Sequence, residues 1–261
     1  MNPEALAQVK ILRQQIPVGY TEGMELLESC AGDIEQAAAL LQQRYLARVS
    51  AATKLEDAII LPLLIRKQYD VAQTISQLEQ EYRLIDGVAQ QETVYTLHRW
   101  QADREYAVHA IAGRLLQDIP INRQDNTRHD LHHFSWYVEA ELRGLNPVHR
   151  CVIALTDWLD YEYWEGLTYA IRYSPDLMAA ELRTLQLHEL AAALQTAWQI
   201  SEETREQYPG WDDDFKSYLA YSNAYQQNPV YRQAEDYISA NQQLITEHLF
   251  DFIQNHTDRF P

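Results

Sequence analysis

The histidine-rich stretch TRHDLHHFSWYVEAE, residues 127–141, carries the side chains best suited to chemistry in this sequence. His129 and His133 are four residues apart, so a helix would place both imidazoles on one face, as zinc-binding helices do. The apolar residues of the stretch fall on nearly the opposite face, which leaves both histidines on the surface unless a second layer covers them. The spacing of the two histidines is compatible with a zinc-binding hydrolase, which is one of the functions that the sequence leaves open.

The remaining parts of such a site are not specified by the sequence. Glu139, Glu141, His98 and His109 are equal candidates for a third ligand. The sequence contains no Walker loop, no dinucleotide-binding glycine motif, no Gly-x-Ser-x-Gly elbow and no paired-cysteine motif. Histidine-rich helical faces are more often solvated than metallated. We therefore expect a protein without enzymatic activity and without a cofactor.

The net charge narrows the classes of partner. The chain has a formal charge of −17 and a pI near 4.8, whereas nucleic-acid and anionic-membrane surfaces need clustered Lys and Arg. A protein partner is expected instead, with an acidic mimic of nucleic acid as an alternative.

The N-terminus lacks the basic start and long apolar run of a signal peptide. The only cysteines, Cys30 and Cys151, are too far apart in sequence to indicate a disulfide framework. We expect a soluble, cytoplasmic protein.

Apolar residues recur at helical spacing along nearly the whole chain, interrupted by only eight Gly and nine Pro. This pattern predicts an all-α fold. The predicted helices lie near 3–15, 21–30, 33–48, 54–67, 70–85, 91–117, 127–143, 147–171, 175–203, 212–225 and 229–256. We expect three parts: a three-helix module at 1–48, a helical connector at 49–86 and a helical domain at 87–261.

The first three helices are too short to bury their apolar faces separately, so we expect them to share one core. The predicted core positions are Leu6, Val9, Leu12, Met24, Leu27, Ile34, Ala37, Ala38 and Leu41. Gly32 followed by Asp33 predicts the end of one helix and the N-cap of the next.

The stretch VGYTEGMELLESCAGDIEQAAALL resembles the ubiquitin-associated (UBA) family, which has a Met-Gly-Phe/Tyr loop, a Gly-Asp turn and an Ala-rich third helix. VKILRQQ (9–15) and GDIEQAAALL (32–41) are similar to the N-terminal UBA-like module of elongation factor Ts. The resemblance covers about 45 residues and implies a UBA-like fold. The loop IPVGYTEG departs from the elongation-factor pattern, so the resemblance carries over the fold rather than nucleotide exchange.

A UBA-like fold implies a protein partner, such as a translation GTPase or a ubiquitin-like fold. Glycine lets a backbone approach closely, and an aromatic side chain beside it can anchor a partner. The predicted partner-binding residues are Val18, Gly19, Tyr20, Leu40 and Leu41. The alternative is that these residues serve only turns and the core.

Residues 26–45 and 63–82 have similar sequences at an offset of 37 residues, with Asp33 and Tyr45 recurring as Asp70 and Tyr82, although Glu56 replaces the loop glycine. Either a degenerate second copy or two ordinary amphipathic helices with an Asp cap would explain this similarity.

The stretch LTDWLDYEYWEGLTYAIRY (155–173) mixes acidic residues with Trp and Tyr. Such a mixture suits a basic, partly apolar partner, although interleaved aromatic residues also build cores.

Overall fold

The structure, a computed structural model, describes residues 3–119, 139–211 and 213–261. Of those described residues 78% are helical, and fifteen α-helices and one two-stranded hairpin lie within them. The predicted all-α fold is confirmed. The chain divides into two compact units, Met1–Tyr95 and Thr96–Pro261. No helix in the described ranges is both long enough and apolar enough to cross a membrane.

Unit 1, Met1–Tyr95, begins with three helices around a shared core. Its elements are α1 (Pro3–Gln15), α2 (Tyr20–Ser29), α3 (Ile34–Thr53), α4 (Asp57–Arg66), α5 (Val71–Tyr82), β1 (Leu84–Ile85) and β2 (Val88–Ala89), with α6 (Glu92–Arg99) beginning in this unit. Five of the predicted core residues are buried together: Val9, Leu12, Leu27, Ala37 and Leu41. Met24, Ile34 and Ala38 pack against them. The likeness to UBA domains stays a prediction.

A tight turn joins α2 to α3. Ala31 and Gly32 have left-handed backbones, with φ of 53° and 85°. The Gly32 N–H donates to the Leu27 carbonyl at 2.8 Å, and the Asp33 carboxylate accepts from the Gln36 N–H at 3.0 Å. The turn therefore satisfies backbone groups at the end of one helix and the start of the next.

The same turn recurs between α4 and α5. Gln68 and Tyr69 have φ of 52° and 64°, and the Tyr69 N–H donates to the Leu64 carbonyl at 2.8 Å. Each of these residues lies 37 positions after its counterpart in the first turn. At that offset α2 coincides with α4, the starts of α3 and α5 coincide, and α1 falls on the second half of α3. This correspondence favours a second copy that shares α3 with the first.

The predicted helix at 70–85 ends earlier, at Tyr82, and a short hairpin follows. β1 and β2 are antiparallel, with Ile85 opposite Val88. Asp86 and Gly87 connect the strands with φ of 51° and 73°. An Asp-Gly pair with two positive φ values is the turn that two-residue hairpins favour, so this pair lets the chain reverse between β1 and β2.

Unit 2, Thr96–Pro261, is a larger helical body with one continuous core. Its elements are α7 (Arg104–Asp118), α8 (Glu139–Gly144), α9 (Pro147–Glu165), α10 (Leu167–Ala170), α11 (Pro175–Thr184), α12 (His188–Arg205), α13 (Phe215–Gln226), α14 (Pro229–Asn241), α15 (Gln243–Asn255) and a short 3₁₀ helix (Thr257–Arg259). Helix α9 lies at the centre, and Cys151, Leu155 and Trp158 are almost wholly buried on it.

Several long predicted helices are each two helices in the structure. The predicted 91–117 helix is divided by a turn, after which Asp103 caps α7 by accepting from the Tyr106 N–H at 3.1 Å. The predicted 175–203 helix is interrupted at Gln186, whose φ is 63°. The predicted 147–171 helix is interrupted at Gly166, whose φ is 83°. The predicted 229–256 helix is divided at Gln242.

Candidate partner-binding site

The loop between α1 and α2 presents Gly19 and Tyr20 at the surface. Gly19 is the N-cap of α2, with φ of −65°, and a methyl group added there would meet no atom within 4 Å. The Tyr20 side chain is 45% exposed. Val18, one residue earlier, is buried in the core of the first three helices. The loop thus pairs an open backbone with an exposed aromatic ring.

Arg13 holds the Tyr20 ring in place. Its guanidinium carbon lies 4.2 Å from the centroid of that ring, close enough for a cation–π interaction. This contact was not predicted from the sequence. The sequence signal for this contact is the position of Arg13 in the last turn of α1, shortly before the loop.

Helix α3 contributes the other predicted positions. Leu40 is 36% exposed, whereas Leu41 is buried beside α1 and α2. The Arg44 guanidinium forms an ion pair with Glu22 of α2 at 3.7 Å. Since Leu40 lies one helical turn before Arg44, it shares the face of α3 that is turned towards the start of α2.

Tyr45 fixes the loop to α3. Its hydroxyl donates to the Pro17 carbonyl at 2.6 Å. Burial raises the pKa of the Tyr45 phenol above its usual value, the negative charge of Glu22 adds to that rise, and Arg48 opposes it. The phenol therefore stays protonated, as the donated hydrogen bond requires. Tyr45 is a second residue of the site that was not predicted from the sequence.

The five predicted partner-binding residues thus occupy two layers. Gly19, Tyr20 and Leu40 are at the surface. Val18 and Leu41 lie beneath them and hold the backbone of the loop and of α3. We name the exposed three, together with Arg13, the loop–α3 surface.

The predicted metal ligands, His129 and His133, lie outside the described residues. Of the candidate third ligands, His109 is engaged with Asp160 through Nε2 at 2.9 Å and with the Glu105 carbonyl through Nδ1 at 2.9 Å. Within residues 3–119, 139–211 and 213–261, no group of three or more His, Cys, Asp or Glu is arranged to hold a metal ion.

Unit 2 buries a cation among aromatic rings. Arg172 is 4% exposed, and its guanidinium carbon lies 5.1–5.8 Å from the ring centroids of Trp211, Tyr218, Tyr221 and Tyr225. Its Nη2 donates to the Tyr225 hydroxyl at 3.2 Å. Burial alone would lower the pKa of Arg172, but the surrounding tyrosine oxygens outweigh it and the pKa is raised. The arginine is a charged structural centre of the unit.

Comparison with known proteins identifies the second part of the chain. The family model described as the YfbN C-terminal domain matches residues 91–258. "Uncharacterized protein YfbN" from Escherichia coli (strain K12) is 25% identical over 195 residues, which are 74% of this chain and 74% of that protein. No solved structure matches. The family match begins after the loop–α3 surface and covers most of the chain. The chain therefore belongs to the family of proteins with a YfbN C-terminal domain.

Proposed function

We propose that this protein is a non-enzymatic adaptor that docks a protein partner through the loop–α3 surface of unit 1. The observation that carries the proposal is the exposed Tyr20 ring, held by Arg13 at 4.2 Å beside the open backbone of Gly19. Tyrosines are enriched among the residues that dominate binding energy at protein interfaces. A ring that is already held in place loses little conformational freedom when a partner covers it.

Contacts with α3 and with the core support this surface. The loop is tied to α3 by the hydrogen bond from Tyr45 to Pro17 at 2.6 Å, and the start of α2 is tied to α3 by the Arg44–Glu22 pair. Val18 and Leu41 anchor the same segments in the core. A preformed surface of this kind suits docking onto a folded protein.

The second copy in unit 1 lacks the features that favour binding. At the same offset of 37 residues, Glu56, Asp57 and Gln77 replace Gly19, Tyr20 and Leu40. Glu56 caps α4 with φ of −71° and ψ of 147°, close to the −65° and 151° of Gly19. The backbone is therefore alike in the two copies while the aromatic anchor is present only in the first, which favours binding through the first copy.

The resemblance to UBA-like modules favours a partner such as a translation GTPase or a ubiquitin-like fold. The formal charge of −17 disfavours nucleic acid. We place the protein in the cytoplasm, because Cys30 and Cys151 are both buried free thiols, as a reducing compartment favours.

The test is affinity capture from lysate of the source organism, with bound proteins identified by mass spectrometry. The baits are the intact protein, a Gly19→Asp/Tyr20→Ala variant and a matched Glu56→Gly/Asp57→Ala variant in the second copy. We expect a partner that the first variant loses and the second retains. A truncated central aromatic anchor costs about 2 kcal/mol, roughly a thirtyfold loss of affinity.

Retention of the same partners by all three baits would show that the loop–α3 surface is structural. Binding of purified candidates by calorimetry then distinguishes a translation GTPase from a ubiquitin-like protein. Far-UV circular dichroism of each bait confirms that the helices are intact.

A further inference from the structure

We propose that a cleft in unit 2, between α7, the end of α9 and the start of α15, binds an arginine-bearing, partly apolar peptide segment of a partner protein. The cleft has a volume of about 610 Å³, within the range of roughly 300–1,000 Å³ that is usual for ligand sites. Its walls include Glu105, Asp160, Tyr163, Trp164 and Thr246. We name it the acidic aromatic cleft.

Two large aromatic side chains at the end of α9 are exposed next to each other. Tyr163 is 78% and Trp164 is 76% exposed, and their rings meet edge to face with centroids 5.3 Å apart. Trp158 and Tyr161, earlier on the same helix, are buried. The aromatic residues of this stretch therefore serve both the core and the surface. Adjacent exposed aromatic side chains are typical of surfaces that a partner covers.

The acidic residues in and near the cleft favour a positively charged ligand. Within the described residues the Glu105 carboxylate has no cationic partner, and no Lys or Arg lines the cleft. His109 does not neutralise Glu105, because its two ring nitrogens face the Asp160 carboxylate and the Glu105 carbonyl oxygen, each at 2.9 Å. Glu162 and Glu165 lie on the same end of α9 and add negative potential. A basic partner is attracted and oriented by these groups.

Arginine fits this combination better than lysine. Its planar guanidinium can stack on the Trp164 or Tyr163 ring while its N–H groups donate to a carboxylate such as Glu105. Lysine offers a compact charge without a plane to stack. The exposed rings of Tyr163 and Trp164 also offer apolar surface, so an apolar residue next to the arginine has a surface to contact.

The test uses the full chain and a blocked peptide, acetyl-Gly-Arg-Leu-Arg-Leu-Gly-amide, titrated by calorimetry. The neutral control is the same peptide with citrulline in place of each arginine. We expect saturable binding of the arginine peptide with Kd below about 1 mM and much weaker binding of the citrulline peptide. Trp164→Ala and Glu105→Gln should each weaken binding about tenfold, by removing a cation–π contact and a charged acceptor.

Two matched variants locate the effect. Phe215→Ala removes another aromatic side chain that is 72% exposed, and Glu206→Gln removes an exposed carboxylate outside the cleft. Both should bind the arginine peptide as the natural protein does. Near-UV circular dichroism of all four variants reports whether the core is unchanged.

Four results would overturn the proposal. They are no saturable binding up to about 1 mM peptide, equal binding of the citrulline peptide, equal losses in the cleft and control variants, and displacement of the peptide by free spermidine at similar concentration. The last result would assign the cleft to a small polyamine rather than to a peptide.

Discussion

Asp33 and Asp70 make the same hydrogen bond at the starts of two helices in unit 1. The Asp33 carboxylate accepts from the Gln36 N–H at 3.0 Å, and the Asp70 carboxylate accepts from the Gln73 N–H at 2.9 Å. Each cap follows a turn with two consecutive positive φ values. One turn pattern is thus used twice, and it sets the direction in which α3 and α5 leave α2 and α4.

The capping bonds predict a stability effect of known size. Asp33→Ala and Asp70→Ala should each lower the free energy of unfolding of unit 1 by about 1 kcal/mol, because each leaves a helix N–H without its acceptor. Urea unfolding followed by circular dichroism measures this. Glu28→Ala, an exposed control on α2, should change the free energy by less than about 0.5 kcal/mol. Equal effects in the three variants would contradict the capping role.

Two glycines of unit 1 should respond oppositely to a side chain. Gly32→Ala should destabilise by about 1 kcal/mol, since its φ of 85° is strained for any residue with a Cβ. Gly19→Asp should leave stability unchanged or raise it, because the site is open and Asp is a favoured N-cap. Thermal unfolding compares them. A strongly destabilised Gly19→Asp would disqualify it as a binding variant.

The buried Arg172 predicts a large effect in unit 2. Arg172→Ala should cost about 3 kcal/mol of unfolding free energy, because four aromatic rings lose the side chain that they enclose. Arg172→Met should cost clearly less, since its flexible thioether refills part of the space and contacts aromatic rings well. Chemical unfolding followed by near-UV circular dichroism measures both.

A matched arginine tests whether burial is the cause of that effect. Arg143 is paired with Glu139 on the surface, with 49% of its side chain exposed. Arg143→Ala should therefore cost no more than about 1 kcal/mol. Similar losses at both arginines would contradict the structural role of Arg172.

The buried tyrosines of unit 2 predict alkaline sensitivity. Burial raises the pKa values of Tyr161, Tyr218, Tyr225 and Tyr231 above 10.0 in the folded protein. A raised folded pKa means that the folded state holds these protons after the unfolded state has released them. The stabilising contribution is complete below pH 10 and is lost as the pH rises above it.

Urea unfolding at several alkaline pH values, with tyrosinate absorbance recorded in parallel, measures this loss. The unfolding free energy should fall as the pH rises beyond 10, the reference value of the phenols. The Tyr231→Phe variant should show a shallower fall, because one proton fewer is linked to unfolding. Stability that is constant or increasing over that range would contradict the burial of these phenols.

The sequence predicted the features that rest on local signals. Helical spacing gave the fold class, and Gly32 followed by Asp33 gave the boundary between α2 and α3, where the left-handed glycine and the capping carboxylate are found. Gly166 and the Asp86-Gly87 pair carried equally clear signals for a break and a hairpin, and the helical periodicity around them obscured both.

Other features depend on packing that local patterns do not report. Gln186 adopts a φ of 63° between α11 and α12 with no glycine or proline to mark it. Val18 and Leu41 look like surface anchors by analogy and lie in the core because three helices converge on them. Tyr163 and Trp164 are exposed although Trp158 on the same helix is buried, and this depends on where α9 leaves its neighbours.

The measurement that tests the central claim most directly is site-specific photo-crosslinking in cells of the source organism. A benzoylphenylalanine probe replaces Tyr20 in one variant and Asp57, the residue 37 positions later at the start of α4, in another. We predict a discrete crosslinked product with one partner protein from position 20 and none from position 57. Equal products from both positions, or none from position 20, would contradict docking through the loop–α3 surface.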